Sequence, residues 1–190
     1  MHHIGRLQCL FWLMAFTLTP TLWAQKAAEN PQGLRAGLLY NYYTVSLTTL
    51  PDFNTLTPLT TGIATIPDVS YREQDSLFAL TFGGYIEVPT TGTYTFYLTS
   101  DDGSRMWIGD QLVVDNDGLH GPVEQSGTID LQAGLHAITV QFFERGGGEV
   151  LIAQYAGPGI SKQTIPASAF SHDVPDLPGL AYRYFEGAWN

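Results

Sequence analysis

The sequence predicts an all-β sandwich or barrel-like fold of antiparallel strands. Three observations carry that expectation. Apolar residues alternate with polar ones in short runs, glycine-rich turns separate the runs, and no stretch shows the 3.6-residue stripe of an amphipathic helix. Thr, Tyr, Val and Phe dominate the runs, residues that suit a pleated, half-buried surface.

The elements follow in order. The first begins at Gly37-Leu38-Leu39-Tyr40-Asn41-Tyr42-Tyr43. Residues 47–67 are rich in Thr and carry Pro51, Pro58 and Pro67, so they read as irregular chain packed over a core. Phe78, Leu80 and Phe82 then alternate with Ala79 and Thr81, and 85–88 read as a short strand. After the turn Pro89-Thr90-Thr91-Gly92, residues 93–99 put Tyr94, Phe96 and Leu98 on one face. Strands are expected at 106–108 and 111–115, separated by Gly109-Asp110, with a short one at 128–131. Residues 136–143 put His136, Ile138, Val140 and Phe142 on one face, and Gly146-Gly147-Gly148 leads into 150–155.

Residues 1–24 read as a secretory signal: Arg6, then the apolar run from Cys9 to Phe16, then Pro20 and a small residue at Ala24. That run is too short and too interrupted for a membrane span. The only cysteine, Cys9, lies within it, so neither disulfides nor thiolate chemistry is expected of the remainder. Residues 25–32 read as a flexible leader, 33–171 as the domain and 172–178 as a linker. Gly179-Leu180-Ala181-Tyr182-Arg183-Tyr184-Phe185 echoes the first strand, so 179–190 read as the truncated start of a second copy.

The chain carries 18 acidic and 8 basic residues, a net charge of −10. Such a balance repels phosphate backbones and argues against nucleic acid as a partner, while leaving carboxylates for a hard cation. Two acidic turns stand out. Ser100-Asp101-Asp102-Gly103 places vicinal carboxylates between a strand and a turn, and Asp115-Asn116-Asp117-Gly118 lies one hairpin later, within reach of the same sheet edge. In an extended chain Asp101 and Asp102 would point apart. They can meet on one ion only where the backbone bends sharply, as at a cis bond. Two readings fit these turns: calcium held by oxygen ligands from Asp101, Asp102, Asn116 and Asp117, or carboxylates that merely cap a hairpin. Arg105 stands ready to balance the vicinal pair. His120 suits a carbonyl contact or a ligand hydroxyl, and the spacing of His120, His136 and His172 gives no zinc site. Trp107, Tyr97, Tyr155 and Trp189 are aromatic faces of the kind that stack on sugars, with burial the default for Trp107. Adjacent carboxylates are wrong for a glycosidase pair, and no Gly-x-Ser-x-Gly elbow occurs, so an enzyme is not expected.

From about residue 33 to 170 the sequence resembles the PA14 family, which includes anthrax protective antigen, yeast flocculins and domains of bacterial glycosidases. The stretches that carry the resemblance are Phe82-Gly83-Gly84-Tyr85-Ile86-Glu87-Val88-Pro89, Gly92 to Leu98, Ser100-Asp101-Asp102-Gly103-Ser104 and Val113 to Gly118. Gly134-Leu135-His136, Phe142-Phe143-Glu144 and Tyr155-Ala156-Gly157-Pro158-Gly159 follow in the same order. The resemblance implies a PA14-type β-sandwich in which Asp101 and Asp102, joined by a cis peptide, hold calcium that in turn meets sugar hydroxyls. The later loop that completes such a site in the adhesins corresponds to Gly146-Gly147-Gly148-Glu149, which offers Glu149 but no Asn. The implied function is a non-catalytic, calcium-dependent carbohydrate-binding module of a secreted, periplasmic or cell-surface protein, with Asp101, Asp102, His120 and Glu149 facing a glycan or cell-surface polysaccharide. The alternative is a structural or protein-interaction domain that meets neighbouring domains of a longer polypeptide.

Overall fold

Side-chain alternation along the strands decides which faces meet. The computed structural model describes residues 25–174, so the expected signal, most of the linker and the second-copy echo lie outside the described residues. Twelve strands follow in order: β1 (Arg35–Ala36), β2 (Leu38–Thr44), β3 (Thr60–Ala64), β4 (Phe78–Val88), β5 (Gly92–Asp101), β6 (Ser104–Ile108), β7 (Gln111–Asn116), β8 (Val123–Leu131), β9 (Gly134–Glu144), β10 (Val150–Gly157), β11 (Ile160–Thr164) and β12 (Phe170–His172). They form an eight-stranded sheet along the path β1-β12-β4-β9-β6-β7, with β2 and β3 joined at β4, and a four-stranded sheet in the order β11-β10-β5-β8. Every strand pairing is antiparallel. The sheets face each other as a sandwich and do not close into a barrel.

The inner faces supply the core. Phe78, Leu80 and Phe82 of β4 and Ile138, Val140 and Phe142 of β9 meet Tyr94, Phe96 and Leu98 of β5 and Tyr155 of β10. Tyr94, Phe96 and Tyr155 stack at centroid separations of 6.4–6.5 Å. Tyr155 is thereby buried and offers no platform to a sugar. A second, smaller cluster lies on the outer side of the large sheet. There Leu50 and Phe53 of the Pro-rich loop fold over Tyr43, Ala79 and Phe143. This explains why Phe143 is as buried as Phe142 although it points the other way.

Several strands extend beyond the expected limits. Gly83 and Gly84 interrupt the hydrophobic alternation of β4 but not its pairing, which runs unbroken against β9 from Phe78↔Glu144 to Val88↔Gly134. Polar, exposed β8 is held by its full-length ladder with β5 rather than by apolar faces. Within the Pro-rich stretch, β3 forms between Pro58 and Pro67 because β2 offers it an open edge. Residues 25–32, expected as a leader, lie along the β8–β9 hairpin: Lys26 N–H donates to the Asp130 carbonyl at 2.8 Å and Glu29 N–H to that of Leu135 at 2.8 Å.

Phe96 is fully buried between the sheets, whereas Leu59 is 65 % exposed. Replacing Phe96 by Ala should cost about 3–5 kcal/mol, and Leu59→Ala about 0.5 kcal/mol or less. Urea unfolding monitored by tryptophan fluorescence checks both, and equal losses at the two positions would contradict the packing described.

Candidate functional site

The chain crosses from the small sheet to the large one at Asp101-Asp102-Gly103, between β5 and β6. The crossing is built on small buried polar groups. Ser100 and Ser104 share a hydrogen bond of 2.7 Å, and the Asn116 amide donates to Ser100 Oγ at 2.9 Å. Gly103 admits no side chain, because a Cβ there would lie 2.5 Å from the Phe143 ring and 2.8 Å from the Gly118 nitrogen. The peptide between Asp101 and Asp102 is cis, and both carboxyl groups reach one point at the end of the sandwich.

A third carboxylate joins them. Glu144 is the last residue of β9, and its oxygen lies with one from each aspartate in a group whose members are within 4.8 Å of one another. All three residues are buried. Asp102 is well provided for: its oxygens accept the His120 N–H at 3.1 Å and the Arg145 N–H at 3.0 Å. Glu144 is not, since neither of its oxygens has a hydrogen-bond partner among the described residues. Burial therefore pushes the Glu144 carboxyl up to about 7, with the Asp102 charge adding to the rise and the nearby Gly146 amide, short of a full hydrogen bond, opposing it. Burial also raises Asp101, next the Asp102 charge, while His120 partly offsets both.

Two nearby arginines are paired away from the cluster. Arg105, expected to balance the vicinal pair, points to the outer face and pairs with Asp115 at 2.9 Å and Asp117 at 3.2 Å. Arg72 holds Glu149 at 2.6 Å. Among the described residues no salt bridge reaches Asp101, Asp102 or Glu144.

The remaining expected site residues flank this cluster. The Asn116 amide nitrogen is committed to Ser100 and to the Val123 carbonyl. Asp117 Oδ1 accepts the Leu50 and Gly118 amides at 2.9 Å each. The His120 ring lies between two carbonyls, those of Gly121 and Asn116, each at 2.9 Å. Burial alone would lower its pKa, but two carbonyl acceptors and the nearby carboxylates favour the doubly protonated ring, and the net shift is upward. Sequence reasoning missed Glu144. The signal was present, since the alternation His136, Ile138, Val140, Phe142 places Glu144 on the core face, where a lone carboxylate is anomalous.

The donor set fits a hard divalent cation. It consists of carboxylate oxygens only, is buried, and includes a glutamate with no partner, so an oxygen-seeking ion such as calcium suits it better than a soft metal.

Comparison with known proteins places the chain in a family. The family described as "PA14 domain" matches residues 34–169. The anti-sigma-I factor RsgI3 of Acetivibrio thermocellus is 27% identical over 117 residues, 58% of this chain and 18% of that protein, so the chain spans under a fifth of the length of this relative. Among solved structures, an anti-sigma factor domain-containing protein superposes with a TM-score of 0.65 at 22% identity, covering 76% of this chain and 51% of that one. A PA14 sugar-binding domain from an RTX adhesin superposes with a TM-score of 0.63 at 19% identity, covering 73% and 99%.

The raised Glu144 pKa has a definite sign. With no cation bound, the folded state holds a proton on Glu144 that the unfolded chain releases, so the folded state binds more protons between the ordinary value of 4.5 and about 7. Stability of the chelated protein should therefore fall as pH rises through that window, by roughly 3 kcal/mol at most, and level off above it. Melting temperatures in chelator from pH 4.5 to 8 should show this fall, and Glu144→Gln should flatten its upper part. Parallel curves for parent and variant would refute the assignment.

Proposed function

The chain belongs to the PA14 domain family, and from that premise we propose that it is a non-catalytic, calcium-dependent glycan-binding module of a secreted or cell-surface protein. The observation that carries this reading is the buried group of Asp101, Asp102 and Glu144, three carboxylates that no salt bridge among the described residues reaches. A divalent ion would relieve their repulsion and occupy the lone pairs of Glu144. The likeness to a sugar-binding adhesin domain supports a glycan as the ion's outward ligand.

The surroundings suit that role. Nothing lies within 4 Å of the positions that side chains would take at Gly146 and Gly147, and at Gly148 the nearest atom is Asp101 Oδ2 at 3.9 Å. The glycine lip therefore leaves the ion open to a ligand. Leu119, 47 % exposed, offers an apolar surface beside His120. Glu149, held by Arg72, and the His120 backbone fix the rim. No helix among the described residues is long and apolar enough to cross a membrane. A second reading, an interaction or spacer domain of a longer polypeptide, draws on the small share of the anti-sigma-I factor that this chain spans.

Calorimetric titration of the purified chain with calcium separates the two. The glycan-binding reading expects saturable binding, a raised melting temperature and glycan-array signals that chelator removes. Asp101→Asn together with Asp102→Asn should abolish calcium binding while the strands stay folded by circular dichroism. Undiminished calcium affinity in that variant would sink the site, and calcium binding without any chelator-sensitive glycan would favour the interaction domain.

A further inference from the structure

The outer face of the eight-stranded sheet carries a second feature, remote in kind from the carboxylate cluster. Registers across five strand pairs align Ile63, Leu39, Gly83, Thr139, Trp107 and Leu112 in one transverse row. Its ends are apolar and open to solvent, with Ile63 51 %, Leu39 40 % and Leu112 42 % exposed, and Trp107 is half-buried. Its middle is low, since Gly83 has no side chain and nothing stands within 4 Å of where a Cβ would be. The next row supplies polar groups from Asn41, Thr81 and Gln141, then Arg105. Together Leu39, Gly83, Thr139 and the first three of these polar residues line a groove of about 450 Å³. Phe53 and Asn54 line it too, as do Tyr85 and Asp173.

We propose that this groove is a second, calcium-independent binding site for a neutral, unbranched polysaccharide. The charge pattern selects a neutral ligand. On a chain of net charge −10, the groove's lining includes no Lys or Arg, and its acidic member, Asp173, accepts the Tyr85 hydroxyl at 2.9 Å. Arg105, beside it, is neutralised by Asp115 and Asp117. Parallel apolar and amide–hydroxyl rows match a sugar chain, whose rings present apolar faces and hydroxyl edges in the same way. The lining crosses β2, β4 and β9, two interstrand steps or about 10 Å, and the row continues beyond it by one more step to Trp107 of β6, a length for an oligosaccharide rather than a single ring.

Other occupants fit less well. An extended peptide adds to a free strand edge, but β4 at the groove floor is paired on both sides, with β2 and β9. A second copy of the chain needs a continuous apolar patch, whereas Gly83 and Thr139 interrupt this one. The site goes beyond the calcium reading and neither requires the other.

The test uses the full chain, cellohexaose, xylohexaose and mannohexaose as probes, and calorimetry in excess chelator. At least one hexasaccharide should bind, and should bind equally well to the Asp101→Asn, Asp102→Asn double variant. Gly83→Val, which fills the groove at a position whose backbone and surroundings accept a side chain, should weaken binding about tenfold or more while melting as the parent does. Gln141→Ala provides the same reading should Gly83→Val fold poorly, and Trp107→Ala reads the extension of the row beyond the groove. The proposal is overturned by absence of binding to all three probes in chelator, by binding that the groove variants leave intact, or by binding that disappears in the double aspartate variant. Concentration-dependent self-association that Gly83→Val abolishes would equally overturn it, assigning the face to a second copy.

Discussion

One carboxylate, that of Asp102, holds the functional end of the sandwich together. Its two oxygens bind the backbone amides of His120 and Arg145, which belong to the loops that follow β7 and β9. Asp102 itself sits where the chain passes between sheets. Three segments distant in sequence are thus fixed by one side chain, and hydrogen bonds to a charged acceptor are the strong kind. Asp101 and Glu144 differ in that their oxygens are not consumed by the chain's own amides in this way. The same cluster therefore contains one carboxylate that shapes the rim and two that remain available to an external cation.

The placement of basic residues sharpens that division. The described arginines and lysines with ion-pair partners serve acidic groups outside the cluster: Arg72 serves Asp75 and Glu149, Arg105 serves Asp115 and Asp117, Lys162 serves Glu124, and Lys26 serves Asp110. No salt bridge among the described residues reaches the buried group at the sandwich end, which is left to protons or to a metal ion for its neutralisation. The raised Glu144 pKa expresses the first of these alternatives. Calcium would supply the second at neutral pH, and with it a positive centre able to meet a neutral hydroxyl.

Much of the fold was legible because inward-facing alternation is a direct imprint of burial. The stretches around Phe78, Tyr94 and Ile138 each became a strand with the expected face inside, and the expected strand at 150–155 lies within β10. What escaped was structure created by partners rather than by composition. Strand β3 owes its existence to the free edge of β2, the extension of the expected 128–131 strand back to Val123 to its ladder with β5, and β11 and β12 to edges that no local pattern announces. At the site, the vicinal aspartates were readable from their adjacency. Glu144 was legible only as a lone carboxylate on the core face of β9, because its place in the cluster arises when the end of β9 is brought opposite the β5–β6 crossing. Arg105 was misjudged for a related reason: sequence adjacency to Asp102 suggested a contact, but strand alternation turned its side chain to the opposite face.

The two surfaces share a wall, and that wall explains why the irregular Pro-rich loop takes the path it does. Its Leu50 amide is bound by Asp117 Oδ1, at the end of the sandwich that carries the carboxylates. Its Phe53 packs on Tyr43 at a centroid distance of 5.0 Å and lines the outer groove. Between these anchors lies Phe143, buried on the outer face and pressed against Gly103 at the chain crossing. The residue after Phe143 is Glu144. Neighbouring positions on one strand thus look in opposite directions, one supporting the groove's wall and the other completing the carboxylate cluster. A larger side chain at Gly103 would collide with Phe143 and with Asp117 at once, so the requirement for glycine there serves both faces of the sheet. The loop is irregular because it must satisfy an acid at one end and an aromatic pocket at the other, a task for which no single strand or helix has the right reach.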